Sequence, residues 1–253
     1  MLWEELSWPQ IEEYGKKGFV VVVPCGSLEQ HGRHLPVNTD SAIVFEIANR
    51  AAFQVPGVLV APLVWAGLSP HHLGFPGTIS LGLETYAALI GDICRSIAGH
   101  GFRKIALVNG HGGNQAILQA VALKLRHELP VHILVLSYWN LITQEAATIR
   151  ESEIGGIAHA CEMETSIQLY LHPGQVNMEE AVSHPIRPAL SFLAKDMFSG
   201  GKAQFPAPFR ERTPSGVMGD PRTATADKGR RFVEAAAQQL AECLREYREL
   251  DNS

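Results

Sequence analysis

The sequence predicts a three-layer α/β/α domain with a mostly parallel central sheet. Three observations carry this reading. Short β-branched apolar runs alternate with longer amphipathic ones through the first half of the chain. The short runs are apolar at consecutive positions, as strands covered on both faces require. No apolar run approaches the roughly 18 residues of a membrane span, so no membrane partner is expected.

Phe19 to Val23 is the first strand, and Asp40 to Ala52 follows with helical spacing. Val58 to Pro62 is a second strand. Leu83 to Ala98 is a helix ended by Gly99 and Gly101. Lys104 to Val108 is a third strand, with a helix from about Asn114 to His127, and Val131 to Leu136 is a fourth strand. Beyond Ser137 the pattern is less regular. Glu162 to Leu171 is helical and stops before Pro173; residues 184–219, rich in Pro and Gly, read as a loop that covers an active site. Thr223 to Glu249 is a long final amphipathic helix. Without internal repeat, low-complexity tract or flexible linker, one domain spanning residues 1–253 is expected.

At 253 residues and 46% hydrophobic content, the chain is long and apolar enough for a sizeable core. A formal net charge of -5 and the lack of a Lys/Arg cluster argue against a nucleic-acid partner. The acidic start, Met1 to Glu5, does not read as a secretory leader, and none is expected. The four cysteines are far apart and form no C-x-x-C pair, which argues against a disulfide framework or a cysteine zinc site and makes the reducing cytoplasm the expected compartment. Cys25 and Cys161 read as small buried packing residues.

The chemistry concentrates where strands end, as ligand sites in open α/β sheets do. Glu29 and His31 directly follow the first strand and, two apart in extended chain, face the same side. Asp40 returns at the start of the next helix. Carboxylate and imidazole donors this close suit a first-row divalent metal, which can make water a nucleophile at neutral pH. A second group, Asn109-Gly110-His111-Gly112-Gly113-Asn114, follows the third strand and brings His111 to the same rim. It matches neither phosphate-binding glycine signature. A third, His159-Ala160-Cys161-Glu162-Met163-Glu164, supplies an imidazole and two carboxylates. Positions i and i+2 of a helix diverge by about 200°, so Glu162 and Glu164 do different jobs. The plain alternative is a solvated helix start, where acids favour the dipole.

Together these segments resemble the creatininase (creatinine amidohydrolase) family. The match runs in order through Gly26-Ser27-x-Glu29-Gln30-His31-Gly32-x-His34-Leu35-Pro36, Asp40, Ser69-x-x-His72-x-x-Phe75-Pro76-Gly77-Thr78, Asn109 to Asn114, His159-x-x-Glu162-x-Glu164-Thr165-Ser166 and Gly216 to Pro221. The resemblance implies a hydrolase with two divalent ions per chain (Zn, Mn or Fe) acting on a small-molecule amide. Asp40 would bridge, with Glu29 on one ion and His31 and His111 on the other. His159 would carry a proton at the scissile bond, Glu164 would orient His159 or a ligand, and His72 would contact substrate. His34 would order the ligand loop. The family's assembly implies a homo-oligomer, a hexamer.

The chain departs from creatininase proper at four positions. Gly113 stands where a carboxylate ligand follows the Asn-Gly-His histidine, and Gly112 replaces a substrate-contact tyrosine. Glu162 occupies a position that is apolar there, which implies that it replaces the missing ligand. Arg33 stands in place of the usual proline, as a surface charge or as a contact for an acidic substrate. These changes point away from creatinine itself. A formamide deformylase or a mycofactocin-type peptidase is the alternative within the family. A non-catalytic metal or small-ligand binding protein is the alternative outside catalysis. The lack of G-x-S-x-G argues against a serine hydrolase.

Overall fold

The computed structural model describes residues 1–250. Helix α1 (Trp8–Lys16) leads into β1 (Val20–Cys25), then α2 (Thr39–Phe53), β2 (Val58–Val60), α3 (Leu83–Gly99), β3 (Lys104–Asn109), α4 (Gln115–Glu128) and β4 (His132–Ser137). The second half adds α5 (Thr143–Ile149), β5 (Ile157–His159), α6 (Glu162–Leu171), α7 (Phe209–Arg212), β6 (Met218–Gly219) and α8 (Ala226–Glu249). All four strands of the main sheet are parallel, in the order β2-β1-β3-β4.

The strand runs are apolar throughout because each face meets a separate helical layer. Val20 and Val22 of β1, with Ala106 and Val108 of β3, pack on Ile43 and Ile47 of α2 and Phe232, Leu240 and Leu244 of α8. Val21, Val23, Ile105 and Leu107 point the other way, onto Tyr86 and Ile90 of α3 and Leu118 and Leu125 of α4. Side chains alternate along a strand, so consecutive valines serve opposite cores. The expected three layers are therefore present.

From β1 the chain crosses to β2 through α2 on one face, then reaches β3 on β1's other side through α3 on the opposite face. Strands β1 and β3 thus flank the point where strand order reverses, where a crevice opens beyond their carboxyl ends. A small antiparallel ribbon, β5 with β6, lies apart from the main sheet. That ribbon, α1, α5 and α7 have no counterpart in the sequence reading. Each is short, or is stabilised by packing that a local pattern does not record. Among the described residues, no helix is long and apolar enough to cross a membrane.

Candidate metal centre

The loops leaving β1 and β3 start side by side, joined by the Gly110 N–H donating to the Cys25 carbonyl at 2.8 Å. A Cβ at Gly110 would lie 2.6 Å from Val44 Cβ and 2.9 Å from the Asp40 carbonyl. The bare backbone therefore lets the first turn of α2, which carries Asp40, close onto the end of β3.

Glu29, His31, Asp40, His111, His159 and Glu164 are all buried and converge there. His111 Nδ1 sits 3.1 Å from Glu29 Oε2 and 3.0 Å from Asp40 Oδ2, while its Nε2 faces the Leu68 carbonyl at 3.2 Å. His31 donates from Nδ1 to its neighbour Glu29's carbonyl at 3.1 Å. Its Nε2 lies 3.1 Å from Asp40 Oδ1 and 3.9 Å from Glu164 Oε1, yet makes no hydrogen bond. An imidazole tied at one nitrogen, with the other buried, bare and aimed at carboxylates, could hold a metal ion. Three sets of donor atoms, each within 4.8 Å of one another, result: Glu29–Asp40–His111, His31–Asp40–Glu164 and Glu29–His31–His159.

The electrostatics agree with that fit. Three buried carboxylates without Lys or Arg among them are costly unless a cation joins them. Burial alone would lower His31, but Asp40, Glu164 and Glu29 outweigh it and push His31 up to about 10. Glu29 and Asp40 overcome burial in the same way at His111, also raised to about 10. Asp40 is held far down by those two imidazoles despite its burial, whereas Glu164, dominated by burial, rises to about 7. Positive charge at this centre comes from protons on His31 and His111 or from metal ions, and metal ions displace such protons.

A family model described as "Creatininase: Creatinine amidohydrolase" matches residues 4–244. The chain belongs to the creatininase family. It is 33% identical to a creatinine amidohydrolase of Pseudomonas putida over 96% of this chain and 95% of that one. It is 35% identical to a mycofactocin precursor peptide peptidase of Mycolicibacterium smegmatis, over 90% of this chain and 85% of that one. A solved mutant creatininase of the Zn-Zn type superposes with a TM-score of 0.83 at 29% identity, covering 98% of each chain. The protein is thus a creatininase-family hydrolase with metal-binding residue clusters.

Two expectations drawn from the family resemblance are corrected by the geometry. Glu162 is not at the centre. One of its oxygens accepts from the Glu151 N–H at 2.9 Å and from Lys228 Nζ at 2.7 Å. The other accepts from the Ser152 N–H at 2.9 Å and from the Ser152 hydroxyl at 2.5 Å. With both oxygens engaged, it cannot replace a missing ligand; Glu164, two positions on, faces His31 instead. Ala160, at φ 49°, turns the chain between β5 and α6, and α6 begins at Glu162, so the helix sends the two acids to opposite sides. His111, in turn, groups with Glu29 and Asp40 rather than with His31. Unlike creatininase proper, this chain has no room for a side chain at position 113: a Cβ there would collide with His111 Nε2 and the Leu68 carbonyl. Position 112 opens onto empty space.

His72, Gln30 and His159 form one hydrogen-bonded chain. The Gln30 amide donates to His72 Nδ1 at 3.0 Å and to the Gly216 carbonyl at 3.1 Å. That places the His72 proton on Nε2, 3.3 Å from Glu29 Oε1. His159 Nε2 donates to the Gln30 carbonyl at 2.9 Å, leaving Nδ1 facing Glu29 Oε1 at 3.7 Å, beyond hydrogen-bond reach. Burial, then the charge of His31, holds His159 well below the usual histidine range, so it is neutral and can accept a proton. His34 bonds Thr165 Oγ1 at 2.9 Å, joining the ligand loop to α6. Phe209 of α7 covers the group, its ring centroid 3.9 Å from that of His72 and 4.8 Å from that of His159. Sequence reasoning missed Gln30, although it stands between Glu29 and His31. Phe209 carried no signal within its loop.

Proposed function

We propose that the protein is a two-metal amidohydrolase cleaving the C–N bond of a small amide, cyclic or linear, other than creatinine. The observation that carries this reading is the buried, bare Nε2 of His31 aimed at Asp40 and Glu164 beside the Glu29–Asp40–His111 group. Glu29, Asp40 and His111 would hold one ion and His31, Asp40 and Glu164 the other, with Asp40 shared. The mixed carboxylate–imidazole set suits zinc, manganese or iron. Such ions supply Lewis acidity at a carbonyl and make water acidic enough to serve as a nucleophile near neutral pH.

The chain's own residues do the rest. His159 Nδ1 takes a proton from the attacking water and returns it to the departing nitrogen, while the Gln30 carbonyl fixes the ring through Nε2. His72, held by Gln30, donates to Glu29 and orients it rather than contacting substrate. Phe209 excludes bulk water above His72 and His159. We further propose a cytoplasmic homo-oligomer, a hexamer as in the family's usual assembly.

The test is hydrolysis by metal-loaded protein across creatinine, other cyclic amides, formamides and short linear peptides. Turnover of a non-creatinine amide, abolished by chelator and restored by metal, is the expected result. Stoichiometric metal with no hydrolysis across the panel would instead identify a binding protein.

A further inference from the structure

A cavity of about 590 Å³ reaches Gln30, which lies between Glu29 and His31 in the chain, and both charged residues lining it are arginines, Arg33 and Arg210. Gln30, which holds His72 and His159, forms part of its wall. The cavity and the reacting groups therefore share one residue. Arg210 lies over the Phe75 ring, its guanidinium carbon 3.8 Å from the ring centroid, and Nε donates to the Gly74 carbonyl at 2.8 Å. Those two contacts fix the plane of the fork, and no carboxylate among the described residues pairs with it. Arg33 reaches only Glu180, at 3.4 Å and with both side chains well exposed, a pairing that water screens strongly. Phe75, Pro76, Val182 and Pro214 supply apolar walls and Ser215 a further polar group. A cleft with one sign of charge and low-dielectric walls focuses its field on an incoming ion. A planar guanidinium held by stacking is pre-organised for bidentate binding of a carboxylate.

We propose that this cavity binds a carboxylate of the substrate, so that the amide hydrolysed is a linear one ending in a free carboxylate, such as an N-acyl amino acid or a peptide C-terminus. The assignment rests on the amidohydrolase reading above. Arg210 supplies the fork and Arg33 adds charge from the opposite loop. The amide nitrogen of the same molecule then lies toward His159.

Calorimetry on zinc-loaded protein with N-acetylalanine and N-acetylalaninamide, which differ only in the terminal charge, tests it. Wild-type protein should bind the carboxylate at least about ten-fold tighter, the size of one charge-assisted hydrogen bond. The double variant Arg33→Gln, Arg210→Met should erase the difference. Equal or undetectable binding of both compounds by wild type overturns the proposal. So does a preference that survives in the double variant, since the metal ions would then hold the carboxylate. Turnover of the same pair is read separately: a carboxylate preference without any hydrolysis counts against the amidohydrolase reading and leaves the cavity assignment standing.

Discussion

At the scale of single residues, Glu162 and Glu164 stand two positions apart on one helix and meet opposite fates. Glu164 faces His31 across 3.9 Å, while Glu162 is closed in by Lys228, Ser152 and two backbone N–H groups. Glu164→Ala is therefore expected to lose about one metal equivalent per chain and Glu162→Ala none, read by elemental analysis of purified protein. The opposite pattern would return Glu162 to the ligand set. His159→Ala should keep its metal and lose roughly 10² to 10⁴ in turnover, the usual contribution of an acid–base group. Loss of metal in step with activity would make His159 a ligand instead, as its grouping with Glu29 and His31 permits.

At the scale of elements, Glu162 ties α6 to α8 and to the turn after α5. Lys228 of α8 bridges Glu162 at 2.7 Å and Glu151 at 2.8 Å, with little exposure of its own. Burial opposes the charge of Glu162, but Lys228, Ser152 and the backbone outweigh it and hold the carboxyl below its ordinary range. Lys228 is raised for the converse reason, its two carboxylate partners overcoming burial. The Glu162 contribution is present above its ordinary value of about 4.3 and is lost as pH falls through the depressed one. The Lys228 contribution is full below about 10.4 and is lost as pH rises through the raised one. Lys228→Met should thus cost about 3 kcal/mol near neutral pH, because it leaves a buried carboxylate unpaired. Denaturant titrations at several pH values should show the deficit shrinking as Glu162 protonates; a deficit that ignores pH would make the loss one of packing alone.

At the scale of the whole molecule, the centre joins the loops that leave β1 and β3 with residues of α2, β5 and α6, so an ion there would restrain elements distant in sequence. Metal at about a hundred times its dissociation constant should add about 2.7 kcal/mol and raise the melting temperature by roughly 5–10 °C. Calorimetric melting with and without chelator checks this. An unchanged melting temperature would count against a resident metal.

The layered fold, and the sheet rim that gathers the candidate residues, follow from local sequence pattern alone. The consecutive valines of β1 could be satisfied only between two apolar layers, and donors placed just after strands must project from one sheet edge. His111 was legible for the same reason, as it follows β3 directly in extended backbone. Long-range packing alone selects which face of α6 turns toward His31 and Asp40. Helical geometry alone separates Glu162 from Glu164 but does not choose between them. The choice is made by the left-handed turn at Ala160 and by Lys228 arriving from α8, 66 positions later, to neutralise the acid that points away.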